Sequence, residues 1–371
     1  MPPIRILIVD DSAVIRKILC DALSADPAIE VAGTAPNGHI AISKITQVNP
    51  DLVTLDIEMP VMDGLEALAE IRKTHPKLPV IMFSTLTERG AAATLEALSL
   101  GASDYVTKPS NTGSPAVATD RVRSELIPKI KALCGRMEAA PKAAPRITAA
   151  APTRTARTLG LASRIDVLAI GTSTGGPNAL GVVLPSLPED FPVPVVLVQH
   201  MPPIFTKLLA ERLSSHSKIK VREAEAGQKL EPGTAWIAPG NFHMVLKRRE
   251  GNVRIDLNQE PQENSCRPSV DVLFRSVAQV YGSHSLGVVM TGMGADGVAG
   301  SRLMREAGSE VIVQDEASSV VWGMPGLVAA AGQADGVYAL DRLGPEVIKR
   351  VADSRSMFPA AAVRERPGVA S

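Results

Sequence analysis

Two hydrophobic periods alternate along this chain, one continuous and one helical. Ile4 to Val9 is an unbroken apolar run, and Val14, Ile15, Ile18, Leu19 and Ala22 then recur at helical spacing over Ser12 to Leu23. The same exchange repeats. Strands are predicted over 30–35, 52–57, 79–84 and 104–107, and helices over 40–48, 64–74, 88–100 and 119–137, with Pro128 as a kink point in the last. Repeated strand–helix units of this length predict a parallel sheet covered on both faces.

Residues 137–163 break the pattern with an Ala/Pro/Thr/Arg mixture that has too little apolar bulk to offset chain ordering, so a flexible connector is expected. The alternation then resumes. Asp166 to Ile170 reads as a buried strand, and Gly171-Thr172-Ser173-Thr174-Gly175-Gly176 as a turn opening a helix through Val183. Val195–Val198 is a strand, 204–213 a helix, and short β segments follow at 219–224, 234–238, 244–246 and 253–257. Pro268 to Tyr281 reads as a helix with proline in its first turn. Strand 286–290 ends in Thr291-Gly292-Met293-Gly294-Ala295-Asp296-Gly297, ahead of a helix through Ala307 and a strand at 310–313. The expected units are therefore 1–136, the connector 137–163, a second α/β domain 164–353 and a frayed tail 354–371.

Composition narrows the functions. Lysines plus arginines equal aspartates plus glutamates at 39 each, and aromatics make up 3%. There is no electrostatic pull toward nucleic acid and little material for a base-stacking platform. The three cysteines, Cys20, Cys134 and Cys266, are unclustered, which argues against a disulfide framework and suits a reducing cytoplasm. No signal-peptide core or membrane-length apolar run is present, so a cytoplasmic protein is expected.

In parallel sheets, chemistry gathers at the carboxyl ends of the strands. Asp10 and Asp11 end the first predicted strand, Asp56 the third and Ser84 the fourth, while Lys108 follows the fifth. Converging carboxylates repel one another and call for a small divalent cation, Mg²⁺ by its preference for oxygen ligands. The alternative, with Asp10 and Asp11 as simple helix caps and Lys108 as a surface charge, does not explain so many suitable residues on one edge. In the second domain, Ser173, His200 and Asp296 each lie just past a predicted strand. Met together, they would supply a nucleophile, its base and an orienting acid, with the glycine turns offering amides to an oxyanion. Taken separately, His200 is an ordinary strand-end histidine, Asp296 a helix cap and the serine turn structural. Gly171-Thr-Ser173-Thr-Gly175 fits the nucleophile-elbow pattern, but the order Ser…His…Asp is not that of the α/β-hydrolases, so a different fold is expected.

Ile-Val-Asp10-Asp11-Ser, Leu55-Asp56-Ile-Glu-Met-Pro60-Val-Met-Asp63-Gly64 and Gly101-Ala-Ser-Asp-Tyr105-Val-Thr-Lys108-Pro109 resemble the motifs of response-regulator receiver domains. The resemblance implies a flavodoxin-like fold with Asp56 as phosphoryl acceptor. Mg²⁺ would be held by Asp10, Asp11, Asp56 and the Glu58 carbonyl, Lys108 would contact the phosphoryl group, and Ser84 with Tyr105 would form a switch pair. A CheA-type histidine kinase would be the donor. Ile170-Gly-Thr-Ser173-Thr-Gly-Gly-Pro177, Val198-Gln-His200-Met-Pro-Pro203, Arg267-Pro-Ser-Val-Asp-Val-Leu-Phe274, Met290-Thr-Gly-Met-Gly-Ala-Asp296-Gly297 and Trp322-Gly-Met-Pro325 resemble the CheB methylesterase domain. This implies a Rossmann-like domain with a β-hairpin insertion that needs no cofactor for its own reaction. It also implies hydrolysis of glutamate γ-methyl esters on methyl-accepting chemoreceptors, glutamine deamidation, and recruitment to membrane receptor arrays without insertion. Thr174 and Met293 would form the oxyanion site. A receiver-controlled DNA-binding regulator is disfavoured by the missing helix-turn-helix pattern and basic surplus. A serine esterase acting on small molecules and a pure scaffold remain as rivals.

Overall fold

A computed structural model describes residues 2–108, 115–135 and 163–357. The first half runs β1 (Ile4–Val9), α1 (Ala13–Ser24), β2 (Ile29–Ala35), α2 (Gly38–Val48), β3 (Leu52–Asp56), α3 (Gly64–Thr74), β4 (Val80–Ser84), α4 (Glu88–Ser99), β5 (Asp104–Thr107) and α5 (Pro115–Leu133). Its five strands are parallel in the order β2-β1-β3-β4-β5. The apolar residues of β1, β3, β4 and β5 are buried on both faces, as a sheet covered on both sides requires, while edge strand β2 leaves Val31 and Ala32 partly exposed. Ser12 caps α1, and Asp63 with Glu66 forms a capping box at α3, each satisfying amides that a helix start leaves open.

The second half runs β6 (Val167–Thr172), α6 (Gly176–Ser186), β7 (Val195–Gln199), α7 (Phe205–His216), β8 (Lys220–Glu223), β9 (Thr234–Ile237), β10 (His243–Arg249), β11 (Asn252–Asn258), α8 (Val270–Tyr281), β12 (Ser285–Val289), α9 (Val298–Glu306), β13 (Glu310–Gln314), α10 (Met324–Ala330), β14 (Gly336–Tyr338) and α11 (Leu340–Met357). Seven strands form a parallel sheet in the order β14-β13-β12-β6-β7-β9-β8. The expected hairpin insertion is β10–β11, an antiparallel pair outside that sheet.

The details depart from expectation where tertiary contacts override local pattern. α5 starts at Pro115 and ends at Leu133, keeping Pro128 inside, because Val122, Leu126 and Ile130 bury one face against the receiver-like sheet. Pro268 lies outside α8: Ser269 is extended at φ −119°, and the helix begins only at Val270. The last helix continues to Met357, past the expected boundary at 353, because Ser354 is buried and its hydroxyl accepts from the Ile165 amide at 3.1 Å. The rest of the expected tail, and the connector up to residue 162, lie outside the described residues.

Candidate functional site

Strand register assembles the second domain's edge. Thr172 pairs with Gln199 in the β6–β7 ladder, so Ser173 and His200 are the next residues on adjoining strands. β12 flanks β6 on its other side, with Val289 opposite Gly171, and delivers the 291–297 turn. Gly175, at φ +77°, takes the left-handed turn into α6 that other residues rarely adopt. Gly292 permits close approach: a Cβ there would lie 2.8 Å from that of Ser173. Ser173 and His200 line one narrow crevice with Thr174, Gly175 and Gln199.

His200 Nε2 lies 2.8 Å from Asp296 Oδ2. Its Nδ1 faces Cys266 Sγ at 3.5 Å. Among the described residues no hydrogen bond joins Ser173 Oγ to His200. Asp296 is almost fully buried and saturated with donors. Oδ1 accepts from Ser269 Oγ at 2.8 Å, the Asp271 amide at 2.9 Å and Asn264 Nδ2 at 3.0 Å, and Oδ2 from the Val270 amide at 2.7 Å. Those amides open α8, so Asp296 caps a helix that precedes it in sequence, where a helix dipole favours a negative charge. Burial works against its ionisation, yet the hydrogen bond from His200, the imidazole charge and the helix amides prevail and hold its carboxyl below the usual range. His200 shows the complementary effect. Burial alone would lower its pKa, but the contacts with Asp296 and Cys266 outweigh burial and raise it.

In the first half, Asp10 and Asp56 are buried and Asp11 is exposed. Lys108 Nζ lies 2.7 Å from Asp56 Oδ2 and 3.1 Å from Asp10 Oδ2. These two oxygens have ion-pair neighbours but accept no well-formed hydrogen bond. Carboxylate oxygens of Asp10, Asp11 and Asp56 come within 4.8 Å of one another. Orphaned oxygens in an all-oxygen donor set fit Mg²⁺. Burial pushes the Asp56 carboxyl up to about 6 despite the Lys108 ammonium beside it. Burial disfavours the Lys108 charge, but Asp56 and Asp10 more than compensate and raise its pKa. Ser84 points away from this cluster. Its hydroxyl donates to the Gly90 carbonyl at 3.0 Å and accepts from Thr94 at 2.7 Å. The Glu58 amide lies 3.3 Å from Asp56 Oδ1.

The two halves meet over the Ser173 crevice. Thr174 Oγ1 donates to Asp104 Oδ2 at 2.8 Å, and Asn178 Nδ2 to the Leu98 carbonyl at 2.7 Å. Tyr105 stacks on Phe205 with ring centroids 4.9 Å apart and planes 7° from parallel. Arg212 bonds Ser99, and Lys129 pairs with Asp104 at 2.8 Å. Tyr105 is thereby buried in the contact, and Leu98, Asp104, Tyr105 and Lys129 form one wall of the crevice.

Residues 168–347 match the CheB methylesterase family model and residues 6–115 the response regulator receiver domain. A protein-glutamate methylesterase/protein-glutamine glutaminase from Trichodesmium erythraeum is 55% identical over 95% of this chain and all of its own length. The chain belongs to the CheB methylesterase family. A second CheB-family relative of the same name, from a Nocardioides species, is 52% identical over 98% of this chain and all of its own. The Thermotoga maritima CheB methylesterase catalytic domain, a crystal structure, is 43% identical, covers 50% of this chain and 98% of its own, and superposes with a TM-score of 0.49.

In this CheB-family chain Ser173, His200 and Asp296, singled out by the strand-end rule, share one sheet edge, but the rule misses the groups around them. Asn264, Ser269 and Asp271 brace Asp296, and Cys266 reaches His200 from the loop between β11 and α8. No periodic signal marks that loop. Only the polar Asn264-Ser265-Cys266 run before Arg267-Pro268 distinguishes it, and Asn264 and Ser265 take positive φ there.

Proposed function

We propose that this chain is a protein-glutamate methylesterase and protein-glutamine glutaminase with Ser173 as nucleophile, and that the receiver half gates access to it by phosphorylation at Asp56. The observation that carries this reading is the strand register that sets Ser173 and His200 side by side, with Asp296 on His200 Nε2. Ser173 Oγ bonds the γ-carbonyl carbon of the receptor glutamate. Because Asp296 accepts from Nε2, the serine proton goes to Nδ1, the atom that now faces Cys266, so Cys266 must yield that position to the serine. Backbone amides near Thr174 and Met293 take the oxyanion charge. The C–O bond breaks and methanol leaves with the proton from Nδ1. Water then attacks the acyl-enzyme, its proton passing through His200, and releases the carboxylate. For a glutamine substrate the leaving group is ammonia, and the acyl-enzyme is the same.

Asp10, Asp11, Asp56 and the Glu58 carbonyl are the residues assigned to Mg²⁺, which neutralises charge on the transferring phosphoryl group when bound. Asp56 accepts the phosphoryl from a CheA-type histidine kinase, and Lys108 stays in contact with it. As Lys108 turns from the Asp56 carboxylate to the phosphoryl oxygens, Ser84 and Tyr105 reposition. The stack of Tyr105 on Phe205 makes this shift felt at the crevice wall. An open arrangement then gains population. The substrates are methyl-accepting chemoreceptors, met from the cytoplasmic side of receptor arrays. No helix among the described residues is long and apolar enough to cross a membrane.

Methanol release from methylated receptor, with and without acetyl phosphate, tests both parts. Wild type should release methanol and accelerate on phosphorylation, Ser173→Ala should release none, and Asp56→Asn should stay at the basal rate. Undiminished release by Ser173→Ala would end the nucleophile assignment, and equal acceleration of Asp56→Asn would end the gating assignment.

A further inference from the structure

His200 and Cys266 form a pair that the hydrolytic reaction does not need. Cys266 Sγ sits 3.5 Å from His200 Nδ1, and Asp296 Oδ2 sits 2.8 Å from Nε2. A tetrahedral Zn²⁺ with Zn–S about 2.3 Å and Zn–N about 2.0–2.1 Å spans its sulfur and nitrogen ligands by about 3.5 Å. The thiol and the imidazole are therefore already spaced as one edge of that tetrahedron. In the neutral imidazole the ionised Asp296 accepts from Nε2 and leaves the Nδ1 lone pair on the side of the sulfur, so a metal there competes with a proton. A carboxylate behind a histidine in this way fixes the ring and raises its basicity toward a metal.

Two further observations point the same way. Asp296 cannot itself be a ligand, because both its oxygens are occupied by Ser269, Asn264 and the first amides of α8, so its part is to brace the ring. Cys266 is half-buried and free of any disulfide, and His200 lines the crevice that Ser173 shares. Sulfur and imidazole together select a soft or borderline cation over the Mg²⁺ of the receiver half.

We propose that His200 Nδ1 and Cys266 Sγ form an inhibitory Zn²⁺ site built into the catalytic edge. Binding transfers the thiol proton to solvent, forms the Zn–S and Zn–N bonds, and takes the lone pair that would accept the Ser173 proton. The enzyme is silenced by a metal reaching its base, independently of the receiver. The inhibition follows from the role given to His200 above, whereas the metal site itself stands on geometry alone.

The test uses the full chain in two arms. In the first, Co²⁺ serves as the spectroscopic probe. One equivalent should produce a near-ultraviolet thiolate-to-cobalt charge-transfer band that is lost in Cys266→Ser and in His200→Gln. The receiver's oxygen-only cluster cannot produce that band. In the second arm, Zn²⁺ should inhibit methanol release by phosphorylated enzyme, reversibly with chelator, and Cys266→Ser should raise the inhibitory concentration at least about tenfold. A band that survives in Cys266→Ser, or no band at all, overturns the site. If Cys266→Ser proves inactive, the cobalt arm decides alone. A cobalt band in a chain that releases no methanol would leave the metal site standing and sink the esterase reading.

Discussion

Asp56 and Asp296 are both buried carboxylates near the carboxyl ends of parallel strands, and each faces a basic side chain. Their surroundings differ in how the oxygens are satisfied. Asp296 collects helix amides, a serine hydroxyl, an asparagine and an imidazole, and its carboxyl is held below the usual range. Asp56 has Lys108 and one long contact from an amide, and burial pushes it up to about 6. A saturated carboxylate is an anchor, because moving or modifying it breaks many bonds. An under-satisfied one is poised to gain a cation or a phosphoryl group. The same sheet architecture thus yields a fully satisfied carboxylate in one half and an under-satisfied one in the other.

The largest test of this contrast is catalytic. Ser173→Ala should cost on the order of 10⁴-fold or more in methanol release, and Asp296→Asn on the order of 10³–10⁴-fold, read as kcat on methylated receptor. Equal rates for Asp296→Asn and wild type would remove Asp296 from the machinery.

Stability should separate the two acids by sign. Asp296→Asn removes the charge that faces the α8 amides and should destabilise the second half by about 1–3 kcal/mol. Asp56 runs the other way. Its folded pKa is raised, so its contribution to stability is full below the unfolded value of 3.8 and is lost as pH rises through about 6. At pH 7 without metal its ionisation opposes folding, and Asp56→Asn should stabilise the receiver half by about 1–3 kcal/mol. Urea unfolding in chelator, followed from pH 4 to 8, measures both. Two shifts of the same sign would break the comparison.

The next effect is in pH dependence. His200 must be neutral to accept a proton, and its pKa is raised, so the acid limb of the activity profile should lie above the ordinary histidine range. The ion pair with Asp296 adds stability that is complete below the unfolded histidine pKa and is lost as pH rises through the folded one. Cys266→Ser should move the limb down, because the thiol contact is one of the causes of the shift. A limb unmoved in the variant would show that Asp296 alone sets it.

The smallest effect concerns the contact between the halves. Phe205→Ala removes the ring under Tyr105, and Asp104→Asn weakens the hold on Thr174. Each should raise unphosphorylated activity roughly fivefold to tenfold, the shift expected from losing about 1 kcal/mol of a closing contact. An unchanged basal rate in the double variant would mean that the crevice wall does not limit access.

The strand-end acids, Ser173, His200 and Lys108 are legible in the sequence because a buried parallel strand leaves a continuous apolar run that stops where chemistry starts. What escapes is anything set by surfaces meeting. Tyr105 stacks on Phe205 with no periodicity to announce it, and the two residues lie in different halves of the chain. Cys266 and Asn264 arrive from a loop whose positive-φ residues carry no strand or helix pattern. Pro268 suggests a first helical turn by its chemistry alone. It loses to Ser269, which stays extended while its hydroxyl and the two amides that follow bind Asp296.

Asp296 closes the start of a helix that begins 26 positions before it. The first amides of α8 therefore gain their partner only after β12 has joined the sheet and the 291–297 turn has folded back. The start of α8 and the Asp296 carboxylate are thus coupled, and ordering them requires closing the chain loop between them. Hydrogen exchange at the Val270 and Asp271 amides then serves as a gauge of active-site integrity in any variant, readable without substrate.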